Sequence, residues 1–387
     1  MELDFEILET ETSGTIIKVV GVGGAGGNAV QHMLNRGVQG VDFLCMNTDA
    51  QALGRSKAAM LIQLGQTGLG AGAKPEMGRA AAEEARGRIS DALSGAHMVF
   101  IAAGMGGGTG TGAAPVVAQI AKEMGILTVG VVSKPFEFEG GKRMRIAETG
   151  AAQLEEHVDS LIVVLNERLF SVMGDDAEME KCFQCADDVL HNAVAGIAEI
   201  INVEGLVNVD FEDVKTVMGE QGKAMMGTAT VSGIDRARLA AEQAVASPLL
   251  EGVDLSGARG VLVNITASRT LRLAETREVM NAIKHYAAND ATVILGAVYD
   301  DAMGDGLRVT VVATGLGRSA KKTHQVSMTL LHTGTDHSTG AGLDYGALDT
   351  PAVWRSARET ASAHVSVLQE KGVDTYDIPA FLRKQAD

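Results

Sequence analysis

Cysteine is scarce, since Cys45, Cys182 and Cys185 are all that 387 residues contain. Three thiols cannot build a disulfide framework. The pair in "CFQC" has the spacing of a redox or metal site, but it lies within a helical pattern with no second Cys or His cluster nearby to complete four zinc ligands. No metal-ligating set is identified. Only six prolines stand against 47 glycines, with 46% hydrophobic residues, which excludes a fibre and suits a compact protein rich in tight turns. Basic blocks are missing too: 33 Lys+Arg against 49 Asp+Glu leave a formal charge of -16, so nothing is available to neutralise a run of nucleic-acid phosphates. No apolar run reaches the roughly 18 residues needed to cross a bilayer. The opening "MELDFEILETETSGT" is acidic, where an export signal would start basic and turn apolar. The expectation is a cytoplasmic protein that neither binds nucleic acid nor inserts into a membrane.

What is present is a regular alternation. From Thr15, "TIIKVVGV" reads as a strand, "GGAGGN" as a loop and "AVQHMLNRG" as a helix, and further apolar strands follow at "VDFLCMN", "AHMVFIAA", "ILTVGVVSKP" and "DSLIVVLN". Continuous apolar strands separated by helices predict a doubly wound parallel α/β sheet covered on both faces. Residues 178–203 keep helical spacing for about seven turns, long enough to be a central spine. After it, "AMMGTATV", "GVLVNITAS", "TVILGAVYD" and "LRVTVVATGL" alternate with two helical patterns as a smaller α+β domain. The expected organisation is an N-terminal tail (1–14), a nucleotide-binding domain with the central helix (15–221), an α+β domain (222–317), a flexible linker (318–373) and a terminal peptide (374–387). As a coil the linker would span on the order of 40 Å. In the peptide, Ile378, Pro379, Phe381 and Leu382 interrupt a polar background, as in segments that dock on a partner.

Two glycine-rich loops carry the chemistry. "GVGGAGG" satisfies G-x-G-x-x-G at Gly21, Gly23 and Gly26 between a strand and a helix, the context of dinucleotide binding. With Asp49 after the second strand it supports a nicotinamide-dependent oxidoreductase; a tight turn with no ligand is the other alternative. The second loop, "GGGTGTG" at 106–112, has five glycines in seven positions. Together the loops offer more phosphate-binding backbone than a pyrophosphate needs, which points to a triphosphate. There is no G-x-x-x-x-G-K-[ST], so charge neutralisation falls to Mg2+, helix dipoles and backbone.

"GGGTGTG" closely resembles the signature of the tubulin/FtsZ GTPase family. The match extends in family order through "GVGGAGGN", "NTDAQAL", "GLGAGAKPEMGRAAAEE", "KPFEFEGGKR" and "GLVNVDFEDVKTVM" to a terminal "DIPAFLRKQAD". The resemblance implies that Gly24, Ala25, Gly26, Gly27 and Asn28, with Gly23 at their edge, and Gly108, Thr109 and Gly110, with Gly107 at theirs, contact phosphates. It places Glu139 and Arg143 near ribose and phosphates, although the two also suit an exposed i, i+4 ion pair. Phe183 and Asp187 share a helix face, where a ring stacked on a purine and a carboxylate accepting from guanine N1–H and N2 would favour GTP over ATP. Without the family, Phe183 would be plain core. Asn166 contacts guanine by resemblance alone.

Asn208, Asp210 and Asp213 in "NVDFEDV" are the catalytic candidates, and Asp210 with Asp213 equally suits a helix N-cap with an acidic first turn. The resemblance implies that this loop completes the active site of the next subunit in a head-to-tail filament. It further implies GTP hydrolysis dependent on assembly, with Mg2+ accompanying the nucleotide. Residues 374–387 would bind a membrane adaptor and other division proteins, and the protein would work at a mid-cell ring beneath the inner membrane.

Overall fold

The computed structural model describes residues 14–174, 178–203, 205–207, 209–220, 222–247, 250, 257–288 and 291–316. The expected N-terminal tail, save Gly14, the linker and the terminal peptide lie outside the described residues.

The first half alternates strand and helix in the expected order. β1 (Ile17–Val22), α1 (Gly23–Asn35), β2 (Asp42–Asn47), α2 (Ala50–Gly54), β3 (Met60–Gln63), α3 (Pro75–Glu84), α4 (Arg86–Leu93), β4 (Met98–Gly104), α5 (Thr109–Glu123), β5 (Leu127–Lys134), α6 (Gly141–Glu155), β6 (Ser160–Leu165) and α7 (Asn166–Met173) lead into α8 (Met179–Asn202). The second half holds α9 (Phe211–Met218), β7 (Gly222–Ser232), α10 (Arg236–Val245), β8 (Gly260–Ala267), α11 (Leu273–Lys284), β9 (Thr292–Tyr299) and β10 (Gly306–Leu316).

One sheet runs through both halves, in the order β3-β2-β1-β4-β5-β6-β7-β10-β8-β9. β7 joins β6 in parallel through Ser160, Leu161 and Ile162, and β10 alone runs opposite to its neighbours β7 and β8. Successive strand residues point to opposite faces, so Val19 and Phe100 enter one core with α1 and α8, while Val20 and Ile101 enter another with α5. α8 fits the spine role because Val189, Leu190, Ala193, Val194 and Ile197 are buried in a cluster that also holds Val129 of β5 and Leu262 of β8. Burial of each such Val, Leu or Ile side chain stabilises by about 1.5–3 kcal/mol, so the spine ties both halves to one core.

The sheet has two unlike edges. At the carboxyl ends of the parallel strands, β1 and β6 pass directly into α1 and α7, so "GGAGGN", expected as a loop, is the first turns of α1, while short connections lead from β4 to α5 and from β5 to α6. At the amino ends, Ile16 N–H donates to His97 Nδ1 at 3.0 Å just before β1 and β4 begin.

Candidate functional site

Both glycine loops are built around contacts between backbones. Gly23 opens α1 at φ +76°, and a Cβ there would sit 2.9 Å from the backbone N of Gly110, so the two loops touch directly. A Cβ on Gly26 would strike the carbonyl oxygen of Ala102 in β4, and one on Gly110 would lie 2.6 Å from the carbonyl oxygen of Gly104. These glycines are required by packing alone. Gly24, Gly27 and Gly107 differ, since a Cβ on any of them would meet nothing within 4 Å. Steric need therefore does not account for them, and their backbone, exposed at Gly24 and half-buried at Gly27 and Gly107, is what remains available to a ligand.

Both helices begin without a side-chain cap. Val22 precedes α1 and Gly108 precedes α5, neither offers a capping oxygen, and neither first turn carries an acid. The first N–H groups of a helix have no partner within it. Two such ends against one cleft, with the positive end of each helix dipole, make an anion cradle. Thr48 Oγ1 lies 2.6 Å from Thr109 Oγ1 and fixes the start of α5 against the loop after β2.

The cleft is about 410 Å³ and brings together Gly24, Ala25 and Asn28 with Gly107, Gly108, Thr109 and Gly110, and with Glu139, Arg143, Asn166, Phe183 and Asp187. Of the residues singled out from sequence for binding, Gly23 and Gly27 instead line a small neighbouring pocket of about 150 Å³, and Gly26 is buried. Ser133, Lys134 and Pro135 at the end of β5 also line the cleft and were missed. The rule that ligands sit at the carboxyl ends of parallel strands would have pointed to them.

Glu139 and Arg143 do form the i, i+4 ion pair, at 2.9 Å, but unequally: Glu139 is 15% exposed and Arg143 52%. Glu139 also accepts from Phe136 N–H at 2.9 Å, which holds its carboxylate at the wall. Phe183 is 43% exposed and meets Phe136 edge-on at 5.3 Å, so it is not plain core. Burial pushes the Asp187 carboxyl up to about 6, with Asp188 adding to the rise and His32 opposing it. Asn166, only 5% exposed, keeps a buried Oδ1 without a hydrogen-bond partner. An orphaned buried acceptor costs roughly 1–3 kcal/mol, and a donor arriving in the cleft would relieve it.

The acids lie elsewhere. Asp210 caps α9, accepting from Asp213 N–H at 2.8 Å, so the capping alternative is realised in the structure. Both side chains are exposed. Phe211, next in the chain, packs its ring 6.1 Å from His97, at the amino edge of β4. The seven residues of β4 rise about 3.3 Å each, which separates these acids from their own cleft by on the order of 20 Å. Asn208 lies outside the described residues.

Fold and cleft define a doubly wound α/β protein of the class that holds phosphorylated nucleotides at strand carboxyl ends. Residues 16–174 match the family model described as Tubulin/FtsZ family, GTPase domain, and residues 222–317 match FtsZ family, C-terminal domain. The chain is 53% identical over 393 residues to the cell division protein FtsZ of Pseudomonas aeruginosa, covering 99% of this chain and 100% of the relative. It is 52% identical to that of Coxiella burnetii over 98% of this chain and 99% of the relative. Among solved structures it is similar to an empty FtsZ dimer of M. jannaschii, with TM-score 0.75, 43% identity, and 80% of this chain and 89% of that one covered. A GTPγS-bound protofilament of CetZ2 from Haloferax volcanii, 21% identical with TM-score 0.65 over 79% of this chain and 95% of that one, shares the fold. The chain belongs to the Tubulin/FtsZ family and carries its GTPase domain. The nicotinamide reading finds no support: Asp49, which it needs for a ribose, is occupied in capping α2 through Gln51 N–H at 2.8 Å and Ala52 N–H at 3.1 Å.

Proposed function

We propose that the protein is a GTPase of cell division that assembles head to tail, binding GTP in the cleft of one subunit and hydrolysing it with acids from the next. The observation that carries this is the strand-length separation of cleft and acids. Asp210 and Asp213 cannot reach a phosphate held by their own subunit, whereas stacking amino edge on carboxyl edge would bring them to a neighbour's cleft. Such a contact is heterologous and extends into a filament.

Within the cleft, the N–H groups opening α1 and α5 would hold the phosphates, with backbone at Gly24, Gly27 and Gly107 open to them and Asn28 and Thr109 beside them. Glu139 and Arg143 would meet ribose and phosphate, Phe183 would stack on the base, and Asp187 with Asn166 would accept from guanine's N1–H and N2 donors, which adenine does not present. The partner's Asp210 and Asp213, with Asn208, would orient a water whose oxygen bonds to the γ-phosphorus as the bond to the β–γ bridging oxygen breaks, giving GDP and phosphate. Mg2+ fits only as a companion of the nucleotide. Among the described residues no group of three His, Cys, Asp or Glu could hold a metal, so its ligands would be phosphates, water and at most one or two carboxylates, the usual Mg2+ pattern. Its part is to neutralise charge on the phosphates.

If hydrolysis needs the neighbour, GTP turnover per molecule rises with protein concentration and tracks light scattering. Turnover equal at every dilution would contradict the reading. Residues 374–387 are proposed to dock on a membrane adaptor and other division proteins, bringing the filament to a mid-cell ring under the inner membrane. No helix among the described residues is long and apolar enough to cross a membrane. Deleting 374–387 would leave turnover intact and abolish recruitment of filaments to adaptor-bearing vesicles; loss of turnover in the truncated protein would count against this.

A further inference from the structure

A second concavity, about 600 Å³, lies beside the cleft between the starts of α3 and α6, with Thr111 of α5 also lining it. Lys74, Lys142 and Arg145 line it together with the less polar Pro75 and Ile146, and Glu76 is the one acid. Among the described residues none of these three cations takes part in an ion pair, and the only hydrogen bond of their side chains runs from Arg145 Nε to Gly141 O at 3.5 Å within its own helix. In a chain of formal charge -16, three neighbouring cations that share one nearby acid and pair with none call for an anionic partner.

The same chain contains one of matching chemistry. Residues 1–13 hold Glu2, Asp4, Glu6, Glu9 and Glu11 with no Lys, Arg or His, and Leu3, Phe5 and Ile7 alternate with the first three acids. Bound in extended form, such a segment would present acids to one side and apolar side chains to the other, matching a groove with cations and the apolar surface of Pro75 and Ile146. The segment leaves Gly14 at the amino edge of β1, while the groove lies where α3 and α6 begin, at the carboxyl edge. In the head-to-tail stack these two edges face each other across the joint, and 13 extended residues span about 43 Å.

Resting on that head-to-tail reading, we infer that the acidic segment 1–13 of one subunit docks in the Lys74–Lys142–Arg145 groove of the next. The arm is an electrostatic strap across the joint, separate from the nucleotide.

The test uses the full chain as an equal mixture of 14N- and 15N-labelled protein, assembled with GTP at low salt, pelleted, and treated with a carbodiimide that joins lysine to carboxylate. Expected are amide links from Lys74 or Lys142 to Glu2, Asp4 or Glu6, mixed-isotope pairs as frequent as same-isotope ones, and none from dilute protein with GDP. Same-isotope links alone would place the arm on its own subunit and overturn the inference. A GTP-dependent pellet without these links would overturn it while leaving the filament reading intact, and absence of any GTP-dependent pellet would overturn both. The triple change Glu2→Lys, Asp4→Lys, Glu6→Lys should raise the concentration needed for assembly about fivefold, the sum of a few exposed pairs, with GTP binding unchanged. Combining it with Lys74→Glu, Lys142→Glu and Arg145→Glu should restore assembly, and failure of that restoration would also overturn the inference.

Discussion

The two edges of the parallel sheet solve the helix-terminus problem in opposite ways. At the carboxyl edge, α1 and α5 start without capping side chains or first-turn acids, so their free N–H groups frame the cleft. At the amino edge, α9 starts with Asp210 capping it and Glu212 and Asp213 in its first turn. One edge presents uncapped backbone donors, and the other presents exposed carboxylates. Each is the chemical complement of the other, and this complementarity is what supports the proposed reaction at a joint between subunits.

That contrast can be broken or sharpened by experiment. The largest effect is expected for Gly26→Val at the carboxyl edge, where a side chain would collide with the backbone of Ala102. It should cost more than about 4 kcal/mol and leave little folded protein, whereas Gly107→Ala, at an open position, should leave the thermal midpoint nearly unchanged and weaken GTP binding. Equal melting of the two variants would erase the distinction between packing and ligand glycines.

At the other edge, Asp213→Asn should lower GTP turnover by about 10²–10⁴-fold with GTP affinity retained. Asp210→Asn should do the same without loss of stability, because Asn caps as well as Asp, while Asp210→Ala should also cost about 1 kcal/mol. Full turnover in the Asn variants, measured by phosphate release in assembling protein, would assign these acids to capping alone.

A smaller effect concerns the base. Asp187 has its carboxyl raised to about 6, so the ionised form that would accept guanine's donors under the proposed reading is present above that pH and lost as pH falls through it. GTP affinity should drop by up to about tenfold per pH unit below the midpoint, and the bound base, favouring the charged form, should shift the midpoint of the complex downward. Asp187→Asn should flatten this profile; an unchanged profile would remove Asp187 from base recognition. Smallest of all, Arg143→Ala should alter stability by no more than about 0.5 kcal/mol, since its pair with Glu139 is half in solvent. Any sizeable loss of GTP affinity in that variant then reports on the nucleotide and not on folding.

Much of this was legible from residues in order. The apolar runs at 15–22 and 96–103, the helical spacing over 178–203 and the two glycine-rich stretches each declare themselves locally, because strand, helix and turn preferences act between near neighbours. The short edge strand β3 is less legible: Met60 and Leu61 are exposed, so no buried pattern marks it. Nor could order show that Gly26 and Gly110 serve packing while Gly24 and Gly107 face open space, since the deciding atoms belong to Ala102 and Gly104 across a loop. For the same reason, Asp187's raised pKa and the orphaned oxygen of Asn166 needed the walls around them.

The sequence by itself determined the alternation of elements, the glycine cradles and the supply of acids in "NVDFEDV", all properties of short-range sterics and residue type. Only the tertiary structure decided that cradle and acids lie at opposite edges of one sheet, because that distance is set by the length of parallel strands packed between them.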